Sequence, residues 1–420
     1  MNGLWRLALA SAWHRRFVLS ITLVSIALSA FLLASIEQIR GDVREGFSQA
    51  VSGTDLIVGP RTGSTQLLLY SVFRIGQATN NMRWDSVEAL AAHRAVRWVV
   101  PISLGDSHQG FPVVATSAAY FQHFAYGDGQ ALVLAEGRPF QGLFDAVIGA
   151  DVARQLGHRL GARVVLSHGD GALEGNDHAD RPFTVVGILA PTGTPVDRSI
   201  HISLEAMQAL HLDWMGGAPM PGVHVDSQAL TPELLRPREV TAVMVGLKSR
   251  TAVFAVQRWL ADYEKEPLMA ILPGVALDEL WQVVSAAEKA LLAITALVAL
   301  VSFSGLVATM LAGLSERRRE LAILRAVGAS PRTVLALLLL EGSALSVAGV
   351  ALGWLASWLG LLACQDWALT RWGIRLHVGW PTEGQACLMA GLVAAGLIAS
   401  LLPAWRAYRL SLADGLSPKT

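Results

Sequence analysis

Four apolar runs, at residues 17–36, 288–314, 333–362 and 384–405, each reach the roughly 20 residues needed to cross a hydrocarbon core. A bilayer offers the backbone no water to bond, so each run is expected to be a helix. An ordinary soluble fold is thereby excluded. The runs do not account for the whole chain. Of 420 residues 53% are hydrophobic and 16% charged, and nearly all the polar sequence lies between the first and second runs. The expected fold is an α-helical membrane protein with four transmembrane helices and a large α+β domain inserted between the first and second spans.

Short flanks set the orientation. Arg6, Arg15 and Arg16 precede the first run, Arg317, Arg318, Arg319, Arg325 and Arg332 lie between the second and third, and Arg406, Arg409 and Lys419 follow the fourth. In a four-span arrangement these segments share one side, while the connection 363–383 on the other side carries only Arg371 and Arg375. Both termini are thus expected in the cytosol, with the polar domain at 37–285 outside. Residues 1–16, with Leu4, Trp5, Leu7, Ala8 and Ala12, read as an interfacial helix on the inner surface. A cleaved signal peptide fits less well, because the first apolar run is long and three more follow. Residues 406–420 form the cytosolic tail.

Ile36, Ile39, Val43, Phe47 and Val51 prolong an apolar stripe at helical spacing beyond the first run, and Leu277, Leu280, Trp281 and Val284 lead into the second. Two readings stay open: stalks continuous with the spans, or amphipathic helices packed on their own domain. Between them, β-branched runs bounded by Gly, Pro or Asp predict strands at 55–58, 96–103, 112–116, 131–135, 145–149, 163–167, 183–190, 199–202, 240–247 and 268–272. Helices are predicted at 84–93, 150–156, 203–211 and 251–263, a polar hairpin tip at 167–182, and loop at 213–239.

The formal net charge is zero, which argues against a nucleic-acid partner. No G-x-x-x-x-G-K-[ST] occurs, so ATP cannot be bound in the P-loop manner, and neither G-x-S-x-G nor H-E-x-x-H is present. No catalytic residue and no cofactor is expected in this chain. Cys364 and Cys387 are the two cysteines, expected as isolated thiols unless an oxidising compartment pairs them. Nine of eleven histidines lie in the polar domain. His158, His168, His178, His201, His211 and His224 alternate with Asp170, Asp177, Asp180, Asp197 and Asp213, residue types that bind zinc or copper. Their spacing forms no recognisable site, so no metal ligand is assigned and surface histidines on polar loops are expected. A melting shift on adding chelator would separate the two readings. Glu341 stands within the third run and is expected to partner a polar group on a neighbouring helix rather than serve a transport relay.

Residues 315–332, SERRRELAILRAVGASPR, carry a basic cluster and then a stripe at Leu321, Leu324 and Val327 that Gly328 ends. A short amphipathic helix at the inner membrane surface is expected there. The run Glu316-Arg317-Arg318-Arg319-Glu320-Leu321-Ala322-Ile323-Leu324-Arg325-Ala326-Val327-Gly328-Ala329-Ser330, with Glu341-Gly342 and Pro403-Ala404-Trp405-Arg406-Ala407, resembles the FtsX-like permease family. That family is the type VII, or mechanotransmission, class of ABC transporter subunits, including MacB, LolC and LolE. Gly53-Thr54-Asp55-Leu56-Ile57-Val58-Gly59 resembles the start of a MacB-type periplasmic domain, so the likeness covers nearly the whole chain.

The resemblance implies a subunit of the bacterial inner membrane that pairs with a second permease copy, as a homodimer or close heterodimer. A cytosolic ABC ATPase would bind ATP and magnesium and meet Glu316, Arg317, Arg318, Arg319, Glu320, Leu321, Leu324, Arg325 and Gly328. Other expected contacts are membrane lipid and a periplasmic or outer-membrane partner. The outer domain would divide into a porter-like part, 53–103 with 240–275, and an inserted part, 104–239. MacB fuses its ATPase ahead of its first span; sixteen residues precede the span here, so the ATPase is expected from another gene. Three functions fit: mechanotransmission for export, efflux or lipoprotein extraction, regulation of an envelope enzyme, and, on the histidines alone, metal uptake.

Overall fold

The computed structural model describes residues 16–50, 52–169, 177–215, 218–220, 230–316, 323, 325, 326, 328–372 and 376–409. These fall into two compact units, one drawn from Met1–Asp42, Ser285–Trp367 and Leu376–Thr420, the other from Val43–Val284 with Ala368–Arg375.

The first unit is helical. Four long helices, α1 (Arg16–Gln49), α2 (Pro273–Glu316), α3 (Pro331–Trp372) and α4 (Glu383–Arg409), are each long and apolar enough to cross a membrane. Helix α3 continues to Trp372, well into the segment read as a loop at 363–383. Its start is written locally: Ser330 Oγ accepts from Thr333 N at 3.3 Å and Pro331 occupies the first turn, where its missing N–H costs nothing. Side chains such as Leu297, Leu300, Val301 and Ile398 point outward and exposed, as a lipid-facing surface requires.

Beside bulky core residues such as Leu306, Met310 and Leu338, small and hydroxyl residues form seams between the helices, because in lipid close packing and internal hydrogen bonds supply the gain. Ser29 and Ser302 hydroxyls lie 2.8 Å apart, and one turn-pair away Thr22 Oγ1 reaches Thr309 Oγ1 at 3.4 Å, joining α1 to α2. Ser35 and Ser357 hydroxyls, 2.8 Å apart, join α1 to α3. A Cβ at Gly353 would meet Ala27 O and Ala30 Cβ of α1. Helices α3 and α4 interlock reciprocally: Gly342 faces Ser400 while Ser346 faces Gly396. At one end the bundle turns polar. Buried Asp42 accepts from Gln38 Nε2 at 3.0 Å and His377 N at 3.0 Å, and Gln385 Nε2 donates to Ala34 O at 3.0 Å.

The second unit is built on an eleven-stranded mixed sheet. Its strands in chain order are β1 (Leu56–Pro60), β2 (Val96–His108), β3 (Phe111–Thr116), β4 (Leu134–Gly137), β5 (Asp145–Ile148), β6 (Arg163–Val164), β7 (Ser167–His168), β8 (Phe183–Leu189), β9 (Ile200–Ser203), β10 (Ala242–Leu247) and β11 (Leu268–Ile271). The main path is β11-β1-β10-β2-β3-β9-β5-β8-β4, with β7 on β2 and β6 on β8. Pairs β3/β9 and β5/β8 are parallel; the rest are antiparallel. Strand β2 pairs with β10 over Val96–Ile102 and with β3 over Ile102–His108, so the anticipated division at 103/104 falls inside one strand. The run 213–239, read as loop, contains short ribbons at Trp214–Met215 and Ala218–Pro219 and a turn of helix at Pro232–Leu235.

One core fills a face of this sheet with Leu56, Val58, Phe111, Ile148, Phe183 and Val245 among others. A second joins Ala50, Ile57, Leu67, Tyr70, Phe73 and Leu277, where the Phe47 and Phe73 rings stack at 4.3 Å and Trp281 meets Phe47 edge-on at 5.8 Å. The ends of α1 and α2 that belong to this unit pack on its second core through Phe47, Leu277, Leu280 and Trp281.

Candidate functional site

The coupling segment begins where α2 ends at Glu316. Arg317, Arg318, Arg319, Glu320, Leu321, Leu324 and Val327 lie outside the described residues. Arg325 is half-buried, and Gly328 adopts φ +106°, where its N–H donates to Arg325 O at 3.1 Å. That left-handed backbone suits glycine. Glu341 lines a small recess with Leu19, Thr309, Met310, Gly313, Leu314 and Leu338.

The outer-unit histidines depart from the expectation of surface loops. His178 and His201 are buried, and His168 and His211 half-buried. His158 Nε2 lies 3.1 Å from His108 Nε2, and His108 Nδ1 is 2.6 Å from Val165 O. His201 packs beside the rings of Tyr120 and Phe121, at 5.2 and 6.1 Å between ring centres. Burial and the nearby Arg74 cation push it down to about 3, so it is neutral at ordinary pH. His224 and Asp170 lie outside the described residues.

Three histidines converge on an aspartate the sequence reading did not single out. A bulge in β2 places Gly105 and Asp106 opposite a single β3 residue, since Leu104 pairs with Val114 and Ser107 with Pro112. Such a bulge re-aims a side chain. Strand β7 sets His168 directly opposite Asp106, and the chain returns at His178, whose N–H donates to Leu166 O at 2.8 Å. His211 comes from the end of the helix Leu204–Leu210, started by Ser203 Oγ accepting from Ala206 N at 3.1 Å. Asp106 Oδ1 is 3.1 Å from His168 Nδ1 and 3.4 Å from His211 Nε2, and Oδ2 is 4.0 Å from His178 Nε2.

Burial alone would raise the Asp106 carboxyl, but hydrogen bonds from His168 and His211 hold it down at about 2. Burial likewise opposes a charge on His211, and Asp106 overcomes it, so that ring is raised; His178 is lowered by burial. The remaining expected aspartates serve structure. Asp177 accepts from Ser167 Oγ at 2.5 Å, Asp197 accepts from Thr192 N and Gly193 N at 2.7 Å, and Asp213 Oδ2 is 2.9 Å from Arg181 Nη2. Asp180 Oδ2 is 3.5 Å from Arg181 Nε. Cys364 and Cys387 are free.

A helical unit of membrane-spanning composition and an outer mixed-sheet domain together define a membrane protein with a domain in the aqueous phase. Residues 18–263 match the model of the MacB-like periplasmic core domain, and residues 292–412 that of the FtsX-like permease C-terminal domain. The chain belongs to the FtsX-like, MacB-type permease family, and its outer domain is periplasmic. It is 27% identical over 246 residues to the macrolide export ATP-binding/permease protein MacB of Brucella melitensis, and equally to that of Brucella abortus. Each match covers 56% of this chain and 37% of the relative, so the chain spans little more than a third of those proteins. Among solved structures, the periplasmic region of MacB from Actinobacillus actinomycetemcomitans is similar at TM-score 0.34 and 11% identity, covering 60% of this chain and 97% of that one. The extracellular domain of the ABC-type transporter YknZ from Gram-positive bacteria gives TM-score 0.31 and 14% identity, covering 51% and 99%.

Proposed function

We propose that this chain is the permease subunit of an ABC system that transmits ATP hydrolysis, by mechanical coupling, to work on a periplasmic substrate. The observation that carries this reading is the tandem of a MacB-like periplasmic core at 18–263 and an FtsX-like permease domain at 292–412. A cytosolic ABC ATPase, expected as a separate chain, meets residues 315–332. A second permease copy completes the assembly. The basic flanks favour cytosolic termini and a domain inserted between the first two of four spans. Helices α1 and α2, which run on beyond their apolar stretches, are the connection through which motion of the spans reaches the outer domain.

The test is purification of the tagged permease from its native membrane, with ATP hydrolysis measured in the co-purified complex. An associated ABC ATPase, stimulated by the permease, is expected. Arg318→Glu, Glu320→Lys and Arg325→Glu should abolish stimulation while the permease remains inserted. Full stimulation in all three would remove the coupling role of this segment.

A further inference from the structure

Four side chains from three distant stretches of sequence, Asp106, His168, His178 and His211, bring one ligand atom each to within 4.8 Å of all the others. Ligands at about 2.0–2.1 Å from a tetrahedral zinc ion sit about 3.3–3.4 Å from each other. Here His168 Nδ1 is 3.2 Å from His211 Nε2, and both approach Asp106 Oδ1, at 3.1 and 3.4 Å. His178, whose Nε2 is 4.0 Å from Oδ2 and whose ligand atom lies within 4.8 Å of the others, completes the fourth corner by moving inward.

Hydrogen bonding alone leaves this group poorly satisfied. His211 Nδ1 lies 3.0 Å from Met207 O, which accepts its proton, so loss of the Nε2 proton shared with Asp106 frees the Nε2 lone pair for a metal. That lone pair faces a carboxylate oxygen and a second imidazole nitrogen. His168 Nδ1–H can serve only one of these acceptors well. Asp106 Oδ2 and His178 Nε2 are both buried, with side chains 0% and 1% exposed, and neither has a hydrogen-bond partner among the described residues. Orphaned buried polar atoms are costly, and these two point at one another across the cluster. A cation held by the four side chains would give His178 Nε2 a partner and set a positive charge beside the Asp106 carboxylate.

We propose that Asp106, His168, His178 and His211 form a four-coordinate binding site for a divalent transition-metal cation of the zinc class. Three imidazoles and one carboxylate suit zinc better than magnesium or calcium, which prefer all-oxygen shells. With four protein ligands the shell is closed, which fits a bound or carried cation rather than an activated water. Trp214 packs over His178 at 4.3 Å between ring centres and Arg181, paired with Asp213, braces the returning chain, so the ligands are held from outside. His168 and His211, 31% and 26% exposed, give the cation a way in without unfolding. Binding would clamp the β2 bulge, β7 and the end of helix Leu204–Leu210 together. The site stands independently of the permease reading.

The test uses the full chain in detergent, purified on a tag without histidine, stripped with chelator and titrated with zinc alone. About one zinc per chain and a rise in melting temperature of about 5 °C, reversed by chelator, are expected. Cobalt(II) in place of zinc should give the intense visible bands of a four-coordinate ion. Replacing the half-exposed ligands singly, in His168→Gln and in His211→Gln, and then together, should abolish the stoichiometric zinc and the cobalt bands in chains whose circular dichroism still reports a folded domain. Zinc well below one per chain in the unaltered protein, weak six-coordinate cobalt bands, or undiminished zinc in the double variant would each overturn the proposal.

Discussion

At the residue scale, burial decides which titratable groups respond to pH. The His201 ring is fully buried on β9, packed beside Tyr120 and Phe121, with Arg74 as the nearby charge and Val147 O 3.3 Å from Nδ1. Its folded value of about 3 lies below the ordinary 6.5, so between these the unfolded chain binds a proton that the folded one refuses. Its contribution is fully present above pH 6.5 and is lost as pH falls towards 3, at up to roughly 1.4 kcal/mol per pH unit. Melting followed at neutral pH and in steps downward should show this slope, and His201→Phe should flatten it. An unchanged slope in the variant would mean that other groups carry the acid response. Residue roles were the least legible part of the sequence. The histidines announced metal-type chemistry, but Asp106 stands in Gly105-Asp106-Ser107-His108, a stretch whose composition reads as a turn. Only the pairing of β2 with β3 and β7 turns it into strand. Ligands brought together from 106, 168, 178 and 211 obey no local spacing, so no motif could have found them.

At the scale of elements, periodicity carried most of the information. Each predicted strand has a counterpart because β-branched runs flanked by Gly, Pro or Asp have few other ways to fold, and the helix at 150–156 matches residue for residue. The helical stretch at 64–73 was not legible: Leu67, Leu68, Tyr70, Ser71, Val72 and Phe73 are buried all round, so no polar face marks a period. In the helical unit the informative elements are the small-residue seams. A side chain at Gly396 would meet Ser346 and Phe303, whereas Gly391 on the same helix has open space around it. Gly396→Val should therefore lower bundle stability by about 1–3 kcal/mol, as overpacking does, with Gly391→Ala near neutral. Thermal stability in detergent, followed by size-exclusion chromatography, checks the pair. Equal stability of both variants would mean that the seam tolerates separation.

At the scale of the molecule, the proposed work depends on two long helices, and only one of their properties is visible in the sequence. The apolar stripe through Ile39, Val43 and Phe47 implied a helix; that α1 runs unbroken over Arg16–Gln49 follows from hydrogen bonding along its whole length. A proline at Val43 would remove the bond to the carbonyl one turn earlier and clash with it, costing about 3 kcal/mol in the last third of α1. If α1 transmits force, Val43→Pro should leave ATPase association and basal hydrolysis intact and disconnect the outer domain. Hydrogen exchange with and without ATP reads both ends in one experiment. In the unaltered complex, amides of residues 315–332 and of the outer sheet should both respond to ATP. In the variant the first response should persist and the second vanish. Should the outer sheet still respond, force reaches it by another route, of which α2 is the first to test with a proline at Val283, an exposed position of that helix.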